Sequence, residues 1–239
     1  MIKADLHLHS VLSPCGDIEM TPSFIIRRAR EKNLGMIAVT DHNSTRGYEE
    51  IARIGRREGV AVMCGAEITT REEVHVVAIV NENAREEFQL WLDRYLPKIP
   101  NREDIFGYQL VVNEFEEVIY QEPYLLLSAL DRSIDQVEEF IHSLGGIFIP
   151  AHIDKLQNSI TSQLGFVPKG IKADALELSY RSDLQLLLKK YPWIENYTFV
   201  RSSDAHYPDD FGDVFSVFDI QEPSFEALKE ALKLKKVIL

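Results

Sequence analysis

From residue 2 to residue 8 the chain alternates. Ile2, Leu6 and Leu8 fall on one face of a strand, and Lys3, Asp5, His7 and His9 fall on the other. Thr21-Pro22 marks a helix start, with threonine as N-cap and proline at the first helical position. Phe24, Ile25, Arg28 and Ala29 follow at helical spacing, and Asn33-Leu34-Gly35 supplies the stop. Residues 36–40 form a short apolar strand. Ser44 is expected to cap a second helix that carries Tyr48, Ile51, Ala52 and Gly55 along one side and ends at Gly59. Residues 60–63 and 74–80 are further apolar strands. Short strands that are apolar on both faces and separated by helices predict a parallel sheet covered on both sides.

Residues 82–144 read as a mainly helical insertion, with a helix over 84–95, a loop holding Pro97 and Pro100, and helices near 123–130 and 134–144. Gly145-Gly146 then opens a strand over 147–151. Strands at 173–178 and 198–202 and an amphipathic helix over 224–234 complete the series. The whole is an α/β chain, expected to be one domain over 1–239.

Composition fits that picture: 45% hydrophobic and 27% charged residues are ordinary for a globular protein. No run reaches the ~18 apolar residues that span a bilayer, so no membrane partner is expected. The opening lacks the basic and apolar segments of a leader. Two cysteines, Cys15 and Cys64, are too few for a disulfide framework and suit a reducing, cytoplasmic setting. The net charge of −12 argues against a long nucleic-acid groove, which would want a basic stripe. A small phosphorylated substrate is the expected partner, because bound divalent ions would reverse the sign locally.

The chemistry-bearing residues gather where strand patterns end. His7 and His9, two apart, project from one face. His42 follows Asp41 after the strand at 36–40, Glu67 follows the strand at 60–63, and His75 opens the next strand. His152 ends the strand at 147–151, and Asp204 and His206 repeat the two-residue spacing. Imidazole and carboxylate are the ligands that borderline divalent metals prefer, and functional groups in βα barrels collect at strand C-termini. A metal cluster accounts for all these placements together, whereas His142, inside a helix pattern, reads as an ordinary surface or hydrogen-bonded residue.

The motifs DLHLHS (5–10), VTDHN (39–43), GAEITT (65–70), EVHVVA (73–78), IPAH (149–152) and SSDAH (202–206) resemble, in order and spacing, the PHP (polymerase and histidinol phosphatase) family of metal-dependent phosphoesterases. The resemblance implies a distorted seven-stranded (β/α)7 barrel and two or three divalent ions, Zn, Mn or Fe, in a trinuclear centre. It implies one ion held by His7, His9, Glu67 and Asp204, and another by His42, His206 and a residue of the loop after the first strand. A third would be held by Glu67, His75 and His152. Asp17 is the preferred loop ligand and Cys15 the alternative. Asp5 is expected to hydrogen-bond a ligand imidazole. The implied reaction is hydrolysis of a phosphomonoester or phosphodiester, of a nucleotide or short oligonucleotide, by water activated at the cluster, with Asp204, His206 and Glu67 as catalytic groups. Histidinol-phosphate hydrolysis and a non-catalytic module are the alternatives. Lys155 and Arg181 are candidate phosphate clamps, Ser202 and Ser203 candidate supports for the ligands, and Phe106, Tyr108 and Phe166 either wall a pocket or, as the preferred reading, pack in the core.

Overall fold

The structure, a computed structural model, describes residues 1–239. In chain order the elements are β1 (Ile2–Leu8), α1 (Pro22–Glu31), β2 (Met36–Val39), α2 (Tyr48–Glu58), β3 (Ala61–Thr69), β4 (His75–Val80), α3 (Arg85–Tyr95) and α4 (Glu103–Phe106). They continue with β5 (Leu110–Val112), β6 (Val118–Gln121), α5 (Ile134–Ser143), β7 (Ile147–Pro150), α6 (Ile160–Gln163), β8 (Leu176–Leu178), α7 (Leu184–Lys190), β9 (Phe199–Arg201), β10 (Ser216–Phe218), α8 (Phe225–Lys233) and β11 (Val237–Ile238). Seven strands form one curled sheet in the order β11-β10-β1-β2-β3-β4-β7, and this ladder does not itself close into a barrel. The parallel pair β8–β9 stands beside it, joined through single bonds such as Ile153 N to the Glu177 carbonyl and Asp204 N to the His7 carbonyl.

The first helix begins as its residues dictate: Thr21 accepts from Phe24 N and Pro22 opens the helix. Ser44 does not cap α2, which starts after Gly47 with no side-chain cap. The Ser44 hydroxyl instead points at Gln89 of α3, and its backbone neighbour Thr45 N donates to that same Gln89 side chain.

The all-parallel expectation holds only for β1-β2-β3 and β8-β9, because β10 runs antiparallel to both β1 and β11, and β4 to both β3 and β7. For β3 and β4 the reason is connection length. Residues 70–74 are too few for a crossover, which needs a dozen or more, but suffice for a hairpin. β3 also runs further than its apolar start suggested. Gly65 permits this, since a Cβ there would lie 2.8 Å from the Ala78 carbonyl oxygen of the partner strand.

An extra residue in β1 between Asp5 and Leu8 breaks its register with β2. Leu6 therefore packs in the cluster of Ala4, Met36, Val77 and Phe218 that α8 covers, whereas Leu8 packs with Ile37 and Val39 under α1 and α2. The two leucines do not share a face as simple alternation predicts, and the bulge re-aims the chain where His7 and His9 begin.

The insertion differs from its expected helical content. Residues 123–130 form no helix, and β5 and β6 pair as an antiparallel hairpin. Phe106, Tyr108 and Phe166 are exposed rather than packed in the core, at 37, 54 and 50%. No helix is long and apolar enough to cross a membrane.

Candidate metal centre

The antiparallel turn of β4 explains His75. As the first residue of a reversed strand, it reaches the same end of the sheet as the C-terminal ends of β1, β2, β3 and β7. There it meets His7, His9, His42, Glu67, His152, Asp204 and His206. Three overlapping sets, His7/His9/Glu67/Asp204, His9/His42/His206 and His42/Glu67/His75, place their ligand atoms within 4.8 Å of one another.

Glu67 is the hub. Its carboxylate oxygens lie 3.2 Å from His7 Nε2, 3.4 Å from His9 Nε2, 3.1 Å from His42 Nδ1, 2.8 Å from His75 Nδ1 and 3.2 Å from His152 Nε2. Asp204 Oδ1 lies 3.3 Å from His7 Nε2 and 3.4 Å from His9 Nε2. All but Asp204 and His206 are buried.

Buried polar groups normally find partners, so exceptions identify what a site is built for. His42 Nδ1, Glu67 Oε2 and Asp204 Oδ1 are buried with no hydrogen-bond partner, although the first two are 3.1 Å apart. Nitrogen and oxygen lone pairs aimed at shared points suit a divalent cation. The donor set fits a metal cluster.

The imidazoles are held from behind. His7 Nδ1–H donates to Glu177 Oε2 at 2.9 Å, which leaves Nε2 facing Glu67 and Asp204. His9 Nδ1–H donates to Ser13 Oγ at 2.9 Å, and that hydroxyl donates to Asp41 Oδ1 at 2.8 Å. His206 Nδ1–H donates to the Asp204 carbonyl at 2.9 Å. Such partners fix tautomer and ring orientation. Glu177 also accepts from His152 N at 3.0 Å, so one carboxylate orients two candidate ligands. His152 and Asp204 have φ of 29° and 52°, left-handed values that cost about 1–3 kcal/mol each and persist only where surroundings enforce them.

The electrostatics follow from crowding acids and imidazoles without water. Burial opposes charge on His7, His9, His42, Glu67, Asp204 and His206. It is outweighed at Glu67, held well below the usual carboxylate range by His75, His7 and His42, and at Asp204, held well below it by His7 and His9. Burial likewise opposes charge on His7, but Glu177, Glu67 and Asp204 hold it well above the ordinary imidazole value. Burial and the neighbouring His9 push His42 well down and His206 down to about 4. Two ionised acids thus demand positive charge between them, from protons or from cations.

Asp17 is not brought into the cluster. Its carboxylate accepts from Glu19 N at 2.8 Å within its own turn. Cys15 does line the cavity of about 490 Å³ that opens over His42, Glu67, His75, His152, Asp204 and His206. Burial pushes its thiol up to about 12. Lys155 lines that cavity and its ammonium contacts Asp204 Oδ2, whereas Arg181 lies exposed over the Tyr180 ring and lines neither this cavity nor its neighbour. Asp5 bonds no imidazole. It accepts from Ser203 N and Oγ at 3.0 and 2.6 Å and from His7 N at 3.4 Å, and burial raises its carboxyl to about 7. Ser203 thus supports the ligands through Asp5, while the buried Ser202 hydroxyl has no partner. His142 bonds Asp174, away from the cluster.

Sequence reasoning passed over Glu177 and the Asp41–Ser13 relay. Glu177 carried one signal: an acid between Leu176 and Leu178 on an apolar strand is buried and needs a partner.

The PHP domain profile matches residues 5–143. An uncharacterized protein of Methanocaldococcus jannaschii is 34% identical over 90 residues, 34% of this chain and 53% of that protein. A 3',5'-nucleoside bisphosphate phosphatase of Chromobacterium violaceum is 35% identical over 82 residues, 33% of this chain and 28% of that protein. A 5'-3' exoribonuclease of Haemophilus influenzae is 30% identical over 80 residues, 32% of this chain and 28% of that protein. The match therefore spans about half or less of these relatives. Endonuclease Q in complex with a 27-mer duplex bearing an abasic lesion superposes with a TM-score of 0.66 at 17% identity, over 97% of this chain and 56% of that one. A Bifidobacterium adolescentis protein described as a metal-dependent phosphoesterase superposes with a TM-score of 0.64 at 16% identity, over 99% and 97%.

These relatives overturn the expectation of a small phosphorylated partner without a nucleic-acid groove, since endonuclease Q, which shares this fold over 56% of its chain, is seen in complex with a 27-mer duplex, and sequence matches include an exoribonuclease. Net charge misled because it sums the whole surface, whereas a polyanion responds to the potential near the site, ions included. With its motifs converging on one centre and its profile match covering more than half its length, the chain belongs to the PHP domain family.

Proposed function

We propose that the protein is a metal-dependent phosphoesterase that hydrolyses phosphodiester bonds of nucleic acid. The observation that carries this reading is Glu67, one buried carboxylate with five imidazoles within 3.4 Å. Relatives named as an exoribonuclease, a nucleoside bisphosphate phosphatase and endonuclease Q support the substrate class.

In this reading His7, His9, Glu67 and Asp204 would hold one ion. His42, His75, His152 and His206 would supply further donors, and Cys15 is the loop residue that lines the cavity. Divalent ions held there acidify water and neutralise phosphoryl charge. The chain's own residues do the rest. Glu177 keeps His7 Nε2 and the His152 backbone in place, and Asp41 does the same for His9 through Ser13. Asp204, ionised at neutral pH, offers Oδ1 as a ligand atom and holds the Lys155 ammonium on Oδ2. His206, neutral at that pH, keeps a lone pair available beside it. Lys155, whose ammonium sits on Asp204 inside the cavity, would offer that charge to a phosphoryl oxygen.

The test is a cleavage assay of metal-loaded protein on single-stranded and duplex RNA and DNA, with nucleoside bisphosphates alongside. Strand cleavage that EDTA abolishes and Mn²⁺, Zn²⁺ or Fe²⁺ restores is expected. Full metal occupancy with no strand cleaved would overturn the reading.

A further inference from the structure

Residues 125–130 form no helix, yet their backbone is fixed at alternate positions. Asn43 Nδ2 donates to the carbonyls of Leu126 and Ser128 at 2.7 and 3.0 Å, and Leu130 N donates to the Thr69 carbonyl at 2.8 Å. Leu126 and Leu130 are buried in the core. The residues between, Leu127 and Ala129, are half-buried and line the same cavity as His42, His75 and Lys155. The insertion thus gives the metal cavity a short apolar wall.

A second apolar group lies in the chain between two residues of the cavity lining. Leu156 is 93% exposed, and its neighbours Lys155 and Gln157 both line the cavity. Its turn is tied at both ends to candidate ligands, since Lys155 N donates to the His152 carbonyl at 2.9 Å and His75 N donates to the Asn158 carbonyl at 2.8 Å. A single exposed leucine needs no explanation by itself. One held on a turn pinned to two candidate ligands, next to a lysine whose ammonium reaches Asp204, does.

Phosphoryl oxygens gain nothing from such surfaces, whereas a nucleobase gains about 25 cal/mol for each Å² of apolar area covered. The cavity of about 490 Å³ suits one nucleotide-sized group rather than a run of them.

We infer that Leu127, Ala129 and Leu156 form a nucleobase subsite that holds the nucleotide adjoining the scissile phosphate. The inference rests on the nucleic-acid reading above and adds a requirement to it: cleavage depends on a base being present at that nucleotide. Apolar contacts present no donor–acceptor pattern, so the subsite tolerates any base.

The test maps the cleaved bond in a single-stranded oligonucleotide. It then compares that strand with one carrying an abasic nucleotide at the mapped position, using metal-loaded wild type, Leu127→Ala and Leu156→Ala. Wild type is expected to favour the base-bearing strand by about tenfold or more in kcat/KM. Each leucine variant should lose most of that preference through KM while retaining its metal content, and Leu156→Ala, altering an exposed side chain, should keep the wild-type melting temperature. Equal or better cleavage of the abasic strand by wild type would overturn the subsite, as would leucine variants that keep the full preference. Failure of metal-loaded wild type to cleave any strand would overturn the nucleic-acid reading and the subsite together, so the two failures are told apart.

Discussion

Residues 2–80 and residues 82–144 obey different rules. The first segment supplies His7, His9, His42, Glu67 and His75, and every one of them is buried on a strand or one to three residues beyond it. Register there is fixed by four adjacent strands, β1 to β4. The second supplies none of the candidate ligands and leaves Ile99, Ile105, Phe115, Val118 and Ile119 more than half exposed. It reaches the centre only where Asn43 and Thr69 hold residues 126–130. Ligand atoms that must converge within a few ångströms need backbone whose position is over-determined by a ladder. A wall that touches substrate needs only docking.

The largest effect should come from Glu67→Gln. The substitution keeps the shape and removes the charge shared by five imidazoles. A fall in turnover on the order of a thousandfold or more is expected, with loss of bound metal. Elemental analysis and a strand-cleavage assay on the same preparation check it. Metal content equal to wild type would break the claim that the first segment is built around this one carboxylate.

Next comes Glu177→Gln, which lies outside both regions and supports the first from β8. Losing the charge behind His7 Nδ1 should weaken metal affinity about 10- to 100-fold. A competition titration against a chelator reads this directly. Unchanged affinity would mean that the strand ladder alone orients His7.

The two regions were unequally legible. In β1 the alternation of residues located the strand, and in α1 Thr21-Pro22 located its start, because both signals are local. The cluster was legible because metal chemistry restricts ligands to few residue types, each at a strand end. Its backing was not: Glu177 is separated from His7 by 170 positions, and nothing in the neighbouring sequence announces the pairing. The bulge in β1 and the reversal of β4 also escaped alternation, since the one adds a residue to the register and the other depends on the length of a turn. In the insertion, residues 123–130 hold enough leucine to suggest a helix, but Asn43 and Thr69 claim their backbone groups, and tertiary hydrogen bonds override propensity. The hairpin of β5 and β6 was invisible because short apolar runs do not distinguish strand from helix.

Asn43→Ala tests the docking of the insertion. It leaves the Leu126 and Ser128 carbonyls without their donor and Thr69 N without its acceptor. Asn43 also has φ of 47°, which asparagine tolerates better than alanine. A stability loss of about 1–3 kcal/mol is expected. Hydrogen exchange should quicken in 125–130 while the amides of β1, β2 and β3 keep their protection. Uniform loss of protection would show that the two regions unfold as one.

The smallest effect is expected at Asp17, although the carboxylate looks suited to a metal. Its side chain accepts from Glu19 N within the loop after β1, and an asparagine oxygen can accept that same bond. Asp17→Asn should therefore change stability by no more than about 0.5 kcal/mol and leave the metal count as in wild type. Cys15→Ser, two residues earlier and lining the cavity, should disturb occupancy more. Parallel metal analyses of both variants decide the matter. Loss of an ion in Asp17→Asn with full retention in Cys15→Ser would mean that the loop turns its carboxylate inward when metal binds, and that the first segment is less rigid at its edge than its ladder suggests.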